Sequence, residues 1–228
     1  MRNEELDLSA KNSVHIIGIG GAGMGAIAEV LATMGHVVTG SDIKESHRLD
    51  RLRAFGVGIF IGHDSKNVKS IDFVARSTAI SDSNIECLEA IEKGIPLLSR
   101  EKVLRSISKL KDTIAVSGTH GKTTTSSMLS LVLREAGLKP SFIIGGDVNE
   151  IGTGAVWDEG EILVIEADES DASFLGLKRK LSIITNLEED HLEYFGGFTA
   201  LYEAFVEFGT ETDGIVLLGI DDDNSLRL

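Results

Sequence analysis

Two segments place a glycine-rich loop between a short apolar run and a helical stretch, and this arrangement restricts the fold more than any other feature of the sequence. The first spans residues 14–34 and contains GIGGAG, and the second spans residues 113–136 and contains GTHGKTTT. A buried strand that turns through glycines into a helix is a building unit of parallel sheets covered by helices. We therefore predict an α/β protein.

The order of the apolar and helical runs predicts two domains. The first five predicted strands lie at 14–18, 36–42, 58–62, 71–77 and 95–99, with helices near 22–34 and 82–93. After a predicted helix over 99–112, the second set of strands lies at 113–117, 141–146, 161–167, 181–186 and 214–219, with helices at 122–136 and 198–208. We predict a Rossmann-like domain over 1–110 and a P-loop α/β ATPase domain over 111–228. Because the sequence stops where another helix would begin, we expect the second domain to be incomplete.

The composition argues against several classes of protein. A net charge of −14 is unfavourable for nucleic-acid binding, which requires a basic surface. No run approaches the roughly 20 apolar residues of a membrane span. The single cysteine, Cys87, suits a reducing compartment, and we interpret it as a plain helix residue rather than a nucleophile. We expect a cytoplasmic protein.

The first glycine loop fits the pattern G-x-G-x-x-G, with Gly18, Gly20 and Gly23 at the fixed positions and Gly21 between them. Asp42 ends the next predicted strand, where a carboxylate can bind a ribose. Such a loop admits the diphosphate of NAD(P) or of another nucleotide, and the residues alone do not choose between them. A tight turn without a ligand is the structural alternative.

The second loop departs from the strict phosphate-loop pattern because Val116 stands where the first glycine belongs. The loop still follows a predicted strand and opens a predicted helix, so its successive amides can bind an anion. Lys122 can contact the β- and γ-phosphates, and the Thr123 hydroxyl can bind Mg²⁺. We predict an ATP site formed by Gly118, Thr119, His120, Gly121, Lys122, Thr123 and Thr124.

Acidic residues follow two later predicted strands, where ligand sites of open α/β sheets lie. The first group is Glu166, Asp168, Glu169 and Asp171, and the second is Glu188, Glu189, Asp190 and His191. Mg²⁺ prefers oxygen ligands, so the carboxylates suit a metal bound beside a triphosphate. The spacing leaves open whether His191 is a ligand or a structural residue.

The motifs GIGGAGM, SGTHGKTTT, EADESDASF and TNLEEDHLEYFGGF together resemble the Mur ligases of peptidoglycan synthesis, in order from about residue 13 onward. GIGGAGM points to the member that adds L-alanine to UDP-N-acetylmuramate. The resemblance implies that the first glycine loop binds a UDP-sugar diphosphate and the second binds ATP. It implies catalytic roles for Lys122, Glu166 and His191, with Mg²⁺ held by Thr123, Glu166 and His191.

The resemblance also implies an amide-forming reaction through an acyl phosphate. Glu189 departs from the family pattern, which has proline in E-P-D-H. The resemblance further implies a C-terminal amino-acid-binding domain, which this sequence lacks, so we expect the 228-residue chain not to complete the reaction alone. A binding module for UDP-sugar or ATP is the alternative, and an NAD-dependent oxidoreductase is disfavoured because hydride transfer needs neither residues 118–123 nor the acids at 166–171.

Overall fold

The structure is a computed structural model that describes residues 6–148, 150–170, 172–190 and 192–228. It divides into two compact units. The N-terminal unit holds the residues up to 106 together with 155–157, and the C-terminal unit holds 107–154 and 158–228.

The N-terminal unit is built on a five-stranded sheet of order β3-β2-β1-β4-β5, in which all four pairs of neighbouring strands are parallel. Its strands are β1 (Ser13–Ile17), β2 (Val37–Asp42), β3 (Gly58–Ile61), β4 (Phe73–Arg76) and β5 (Leu97–Ser99). Its helices are α1 (Ala22–Thr33), α2 (His47–Ala54), α3 (Ile85–Glu92) and α4 (Arg100–Ser108), which ends in the C-terminal unit, and a 3₁₀ turn spans Ser65–Asn67.

The central strand β1 explains why this sheet is stable. Val14, Ile16 and Ile17 are fully buried, and Ile27 and Leu31 of α1 are fully buried too. A strand whose residues do not alternate between apolar and polar is expected where both faces of a parallel sheet are covered. The five strands predicted here are confirmed, whereas α2 was not predicted.

The C-terminal unit is built on a six-stranded sheet of order β11-β10-β6-β9-β7-β8, and its pairs β11–β10, β10–β6, β6–β9 and β9–β7 are parallel. Its strands are β6 (Asp112–Ser117), β7 (Ser141–Val148), β8 (Thr153–Val156), β9 (Ile162–Glu166), β10 (Leu181–Ile184) and β11 (Ile215–Leu218). The last two residues of β8 are grouped with the N-terminal unit. Its helices are α5 (Lys122–Glu135), α6 (Leu192–Phe195), α7 (Phe198–Thr210) and α8 (Asp223–Arg227), and a 3₁₀ turn spans Ser173–Gly176.

An aromatic cluster joins α7 to the 3₁₀ turn Ser173–Gly176. The Phe174 ring lies 5.2 Å from that of Phe205 and 5.0 Å from that of Phe208, measured between centroids, and all three side chains are buried. Arg179 donates to the Phe208 carbonyl from a buried position, with its Cζ 4.2 Å from the Phe208 ring centroid. Burial lowers the pKa of Arg179 to about 10, against the pull of nearby carboxylates.

The predicted α/β class with parallel sheets is confirmed in both units. Among the described residues, the helices are all too short or too polar to cross a membrane.

Candidate functional site

The first glycine loop connects β1 to α1 and is tied to the end of β2. The amides of Gly18 and Ile19 donate to the Ser41 carbonyl at 2.9 and 3.1 Å. Gly18 has φ +77°, a conformation that favours glycine. The loop therefore turns sharply at the carboxyl end of the parallel sheet, where nucleotide sites of this fold class lie.

Asp42 holds the loop from the end of β2. Its Oδ2 accepts a hydrogen bond from the Gly20 amide at 2.9 Å. A Cβ atom on Gly20 would lie 2.7 Å from the same oxygen, so any larger residue at this position would have to displace the Asp42 carboxylate. The structure thus gives Asp42 a loop-holding role, and its predicted contact with a ligand stays a prediction.

Two arginines that the sequence did not reveal lie beside the loop. Arg48 Nη1 donates to the Gly20 carbonyl at 3.0 Å. A Cβ atom on Gly23 would lie 2.8 Å from Arg100 Nε, which shows how closely that guanidinium approaches the start of α1. Gly21 is the residue before α1 and leaves the helix amides open. Two cations at a helix N-terminus favour an anionic ligand.

A buried carboxylate, Glu86 of α3, lies behind this loop. Glu86 Oε2 accepts from Ser41 Oγ at 2.5 Å and lies 3.0 Å from His63 Nδ1. Glu86 Oε1 accepts from Asn67 Nδ2 at 2.7 Å and lies 3.5 Å from His15 Nε2. Burial alone would raise the pKa of Glu86, but the close contact with His15 and the hydrogen bonds from Ser41 and Asn67 outweigh it and lower the pKa to about 2.

The second loop connects β6 to α5 and is clamped by Asn186, which follows β10. Asn186 Oδ1 accepts from the His120 amide at 2.8 Å, and Asn186 Nδ2 donates to the His120 carbonyl at 2.9 Å. The Thr119 amide donates to the Asn186 carbonyl at 3.1 Å. Gly118 and Gly121 have φ of +129° and +83°, so the turn uses conformations that favour glycine.

Lys122 begins α5, and its ammonium points back into the loop. Lys122 Nζ donates to the Gly118 carbonyl at 2.7 Å, to the Thr119 carbonyl at 3.2 Å and to Glu169 Oε1 at 2.9 Å. The Glu169 side chain is only 1% exposed. Burial raises the pKa of Glu169, and the Lys122 hydrogen bond and charge act in the opposite direction.

Thr123 in the first turn of α5 contacts Glu166 at the end of β9, two residues that the family resemblance assigned to Mg²⁺. The Thr123 hydroxyl donates to Glu166 Oε1 at 3.0 Å, and the Gly145 amide donates to Glu166 Oε2 at 2.8 Å. These two side chains supply adjacent oxygen atoms at the start of α5, and Mg²⁺ is bound in proteins through one or two such ligands together with phosphates and water. Their arrangement therefore fits the predicted magnesium ion.

The remaining predicted residues are only partly placed. Thr124 lies exposed in the first turn of α5, and Asp168 Oδ1 accepts from the Ser170 amide at 3.1 Å. Asp171 and His191 lie outside the described residues. Within the ranges that the structure describes, no group of three or more His, Cys, Asp or Glu side chains is arranged to hold a metal by itself.

Comparison with known protein families identifies the family of the chain that carries these two loops. The model of the Mur ligase catalytic domain matches residues 13–112, and the model of the Mur ligase middle domain matches residues 116–228. The chain belongs to the Mur ligase family. Within that family, the first match contains the loop at Gly18–Gly23 and the second contains the loop at 118–123.

Curated Mur ligases named UDP-N-acetylmuramate–L-alanine ligase are similar to most of this chain. The protein from Endomicrobium trichonymphae is 46% identical over 195 residues, which cover 86% of this chain and 43% of the relative. The protein from Solidesulfovibrio magneticus is 44% identical over 217 residues, which cover 94% of this chain and 48% of the relative. The chain thus spans slightly less than half the length of these relatives.

Solved Mur ligase structures show the same fold. The UDP-N-acetylmuramate–alanine ligase of Thermotoga maritima matches with a TM-score of 0.86 and 33% identity, covering 95% of this chain and 51% of that one. The UDP-N-acetylmuramate:L-alanyl-γ-D-glutamyl-meso-diaminopimelate ligase of Neisseria meningitides matches with a TM-score of 0.84 and 29% identity, covering 96% and 74%.

Proposed function

We propose that this chain provides the UDP-sugar and ATP sites of a ligase that joins L-alanine to the carboxylate of UDP-N-acetylmuramate. The observation that carries the proposal is the second loop, where Lys122, Thr123 and Glu166 converge at the start of α5. A lysine, a hydroxyl and a carboxylate at a strand–loop–helix junction are the groups that bind a nucleotide triphosphate and its magnesium ion. Use of ATP also agrees with the predicted cytoplasmic location.

In the N-terminal unit, we propose that the loop containing Gly18, Gly20, Gly21 and Gly23 binds the diphosphate of UDP-N-acetylmuramate. The amides at the start of α1 supply donors, and Arg48 beside the loop supplies positive charge. In this proposal Asp42 acts on the loop through the Gly20 amide.

In the C-terminal unit, we propose that residues 118–124 bind ATP, with the Lys122 ammonium neutralising phosphate charge. Thr123 and Glu166 would hold Mg²⁺, which when bound offsets the charge that develops on the phosphates. His191 remains the proposed third residue of this magnesium site.

The chemistry that these sites serve has two steps. A carboxylate oxygen of UDP-N-acetylmuramate attacks the γ-phosphorus of ATP, the bond to the β-phosphate oxygen breaks, and ADP leaves with the bonding electron pair. The amine of L-alanine then attacks the carbonyl carbon of the acyl phosphate, loses a proton and displaces inorganic phosphate. The protein would contribute orientation and charge neutralisation through the amides at the start of α5 and through Lys122.

The names of the relatives distinguish two amine substrates. The relatives at 44–46% identity are named for alanine, whereas the structural relative at 29% identity is named for a tripeptide. The higher identity supports alanine. An oxidoreductase is disfavoured because Lys122, Thr123 and Glu166 have no role in hydride transfer.

The test is a pair of titrations of the 228-residue chain, one with MgATP and one with UDP-N-acetylmuramate. Lys122→Ala should weaken MgATP binding by a large but still measurable factor and leave UDP-N-acetylmuramate binding unchanged, and Arg48→Ala should weaken only the latter. Binding of NADH in place of UDP-N-acetylmuramate, or MgATP binding that ignores Lys122→Ala, would overturn the assignment. Phosphate release measured with L-alanine and with the tripeptide, in any form of the protein that turns over, identifies the amine.

A further inference from the structure

The Lys122 ammonium has no donor left for a nucleotide. An ammonium carries three N–H groups, and three protein oxygen atoms lie within hydrogen-bonding distance of Lys122 Nζ. They are the carbonyls of Gly118 and Thr119, at 2.7 and 3.2 Å, and Glu169 Oε1, at 2.9 Å. A phosphate oxygen must therefore displace at least one of these acceptors before it can bind this lysine.

Of the three acceptors, Glu169 makes the strongest contact because it is charged. Its side chain is 1% exposed and that of Lys122 is 13% exposed, so water screens the pair weakly. Hydrogen bonds between two ionised groups are about twice as strong as neutral ones. The two carbonyls belong to the loop itself, whereas Glu169 follows β9 and approaches the lysine from another part of the sheet.

We infer that Glu169 restrains Lys122 in a resting position and competes with nucleotide phosphates for its ammonium. Glu169 is then a positioning residue: it acts on the nucleotide only through Lys122. The inference rests on the proposed ATP site. It predicts that Glu169 weakens nucleotide binding, so removing its charge should tighten binding. Removing a side chain from a binding site usually weakens binding.

The test measures the dissociation constant of MgATP for the 228-residue chain and its variants. Glu169→Gln keeps an oxygen acceptor and the side-chain size but removes the charge, so MgATP should bind about tenfold more tightly, the change expected when a charged acceptor becomes neutral. In a Lys122→Ala background, Glu169→Gln should change the affinity less than twofold. Unchanged or weaker binding in the Lys122 protein would overturn the inference.

Removal of any negative charge beside an anion site can tighten binding, so a matched control is needed. Glu188 is also next to the loop, with Oε2 3.6 Å from His120 Nε2, but it is 59% exposed. Glu188→Gln should change MgATP affinity less than twofold because solvent screens that charge. Tightening equal to that of Glu169→Gln would show a general charge effect and contradict the role assigned to Glu169.

A second readout needs no nucleotide and so separates this inference from the proposed function. The rate of acylation of Lys122 by an amine-reactive reagent, followed by mass spectrometry of its peptide, reports how tightly the ammonium is held. Glu169→Gln should accelerate this reaction severalfold, with labelling of the exposed Lys66 as the internal reference. An unchanged rate in a variant with the parent's circular dichroism spectrum would refute the restraint even if no variant binds ATP.

Discussion

Replacing Glu86 by glutamine should destabilise the protein by a pH-dependent amount that can be worked from the structure. Glu86 is fully buried, and its carboxylate accepts hydrogen bonds from Ser41 of β2 and from Asn67 of the 3₁₀ turn. The rings of His15 and His63 also face this carboxylate. An amide retains the shape but offers only one acceptor oxygen, so donors aimed at the other position lose their partner. The loss should be largest where the native carboxylate is ionised.

The magnitude follows from the two pKa values. The pKa of Glu86 is about 2 in the folded protein and ordinarily 4.5, a difference of about 2.5 units. At 1.36 kcal/mol per unit, ionised Glu86 contributes about 3 kcal/mol to the free energy of unfolding. Because the folded pKa is the lower one, the contribution is complete above pH 4.5 and is lost as the pH falls towards 2.

The assay is chemical denaturation of the parent and of Glu86→Gln between pH 7 and pH 3, with the free energy of unfolding compared at each pH. The difference should be about 3 kcal/mol near neutral pH and should shrink below pH 4.5. Glu92→Gln, at an exposed position of the same helix, should change stability by under about 0.5 kcal/mol at every pH. A difference that stays constant from pH 7 to pH 3 would refute the reasoning, since it would mean that Glu86 does not titrate as derived.

Three further changes have defined outcomes. Gly118→Ala places a Cβ 2.9 Å from the Asn186 carbonyl at φ +129° and should cost about 3 kcal/mol by denaturation, whereas Gly137→Ala, at φ +77° with no heavy atom within 4 Å, should cost about 1 kcal/mol. Asn186→Ala removes both side-chain bonds to His120 and should weaken MgATP binding about tenfold in a calorimetric titration; unchanged affinity would show that the loop does not depend on this clamp. Arg179→Met removes a buried donor to several main-chain carbonyls and should cost about 3 kcal/mol in the same denaturation assay; a loss under 1 kcal/mol would contradict the role given to that guanidinium.

The sequence predicted the sheets well because their strands are continuous apolar runs between glycine turns. It missed α2, whose sequence HRLDRLRA buries only Leu49 and Leu52 and carries little apolar periodicity. It also missed β8, a four-residue segment that begins Thr153-Gly154 and lies at the edge of the sheet. Short or polar elements are fixed by neighbours that are distant in the sequence, so local patterns do not reveal them.

Some contacts of the candidate site could likewise be predicted from the sequence, and others could not. The family resemblance assigned Thr123 and Glu166 to one magnesium ion, and the pairing of β6 with β9 brings the two side chains together at one edge of the sheet. The clamp by Asn186 and the approach of Arg48 and Arg100 to the first loop could not be predicted, since each joins segments whose spacing carries no motif. The residue types indicated which side chains could bind a nucleotide or a metal ion, but only the fold shows which neighbours each of these side chains contacts.

The carboxylates at the strand ends show why contact and burial must be known before a role is assigned. Asp42, Glu166 and Glu169 were all read from the sequence as acids beside a nucleotide loop. Asp42 is half-buried and holds a loop amide, whereas Glu166 is half-buried and bonded to a hydroxyl and an amide, so a cation can still share its oxygen atoms. Glu169 is almost completely buried against an ammonium, so a cation at its bonded oxygen would have to displace Lys122. Of the two acids at or just after the end of β9, the half-buried Glu166 can therefore still share an oxygen atom with a cation, whereas the buried Glu169 is bonded to the lysine.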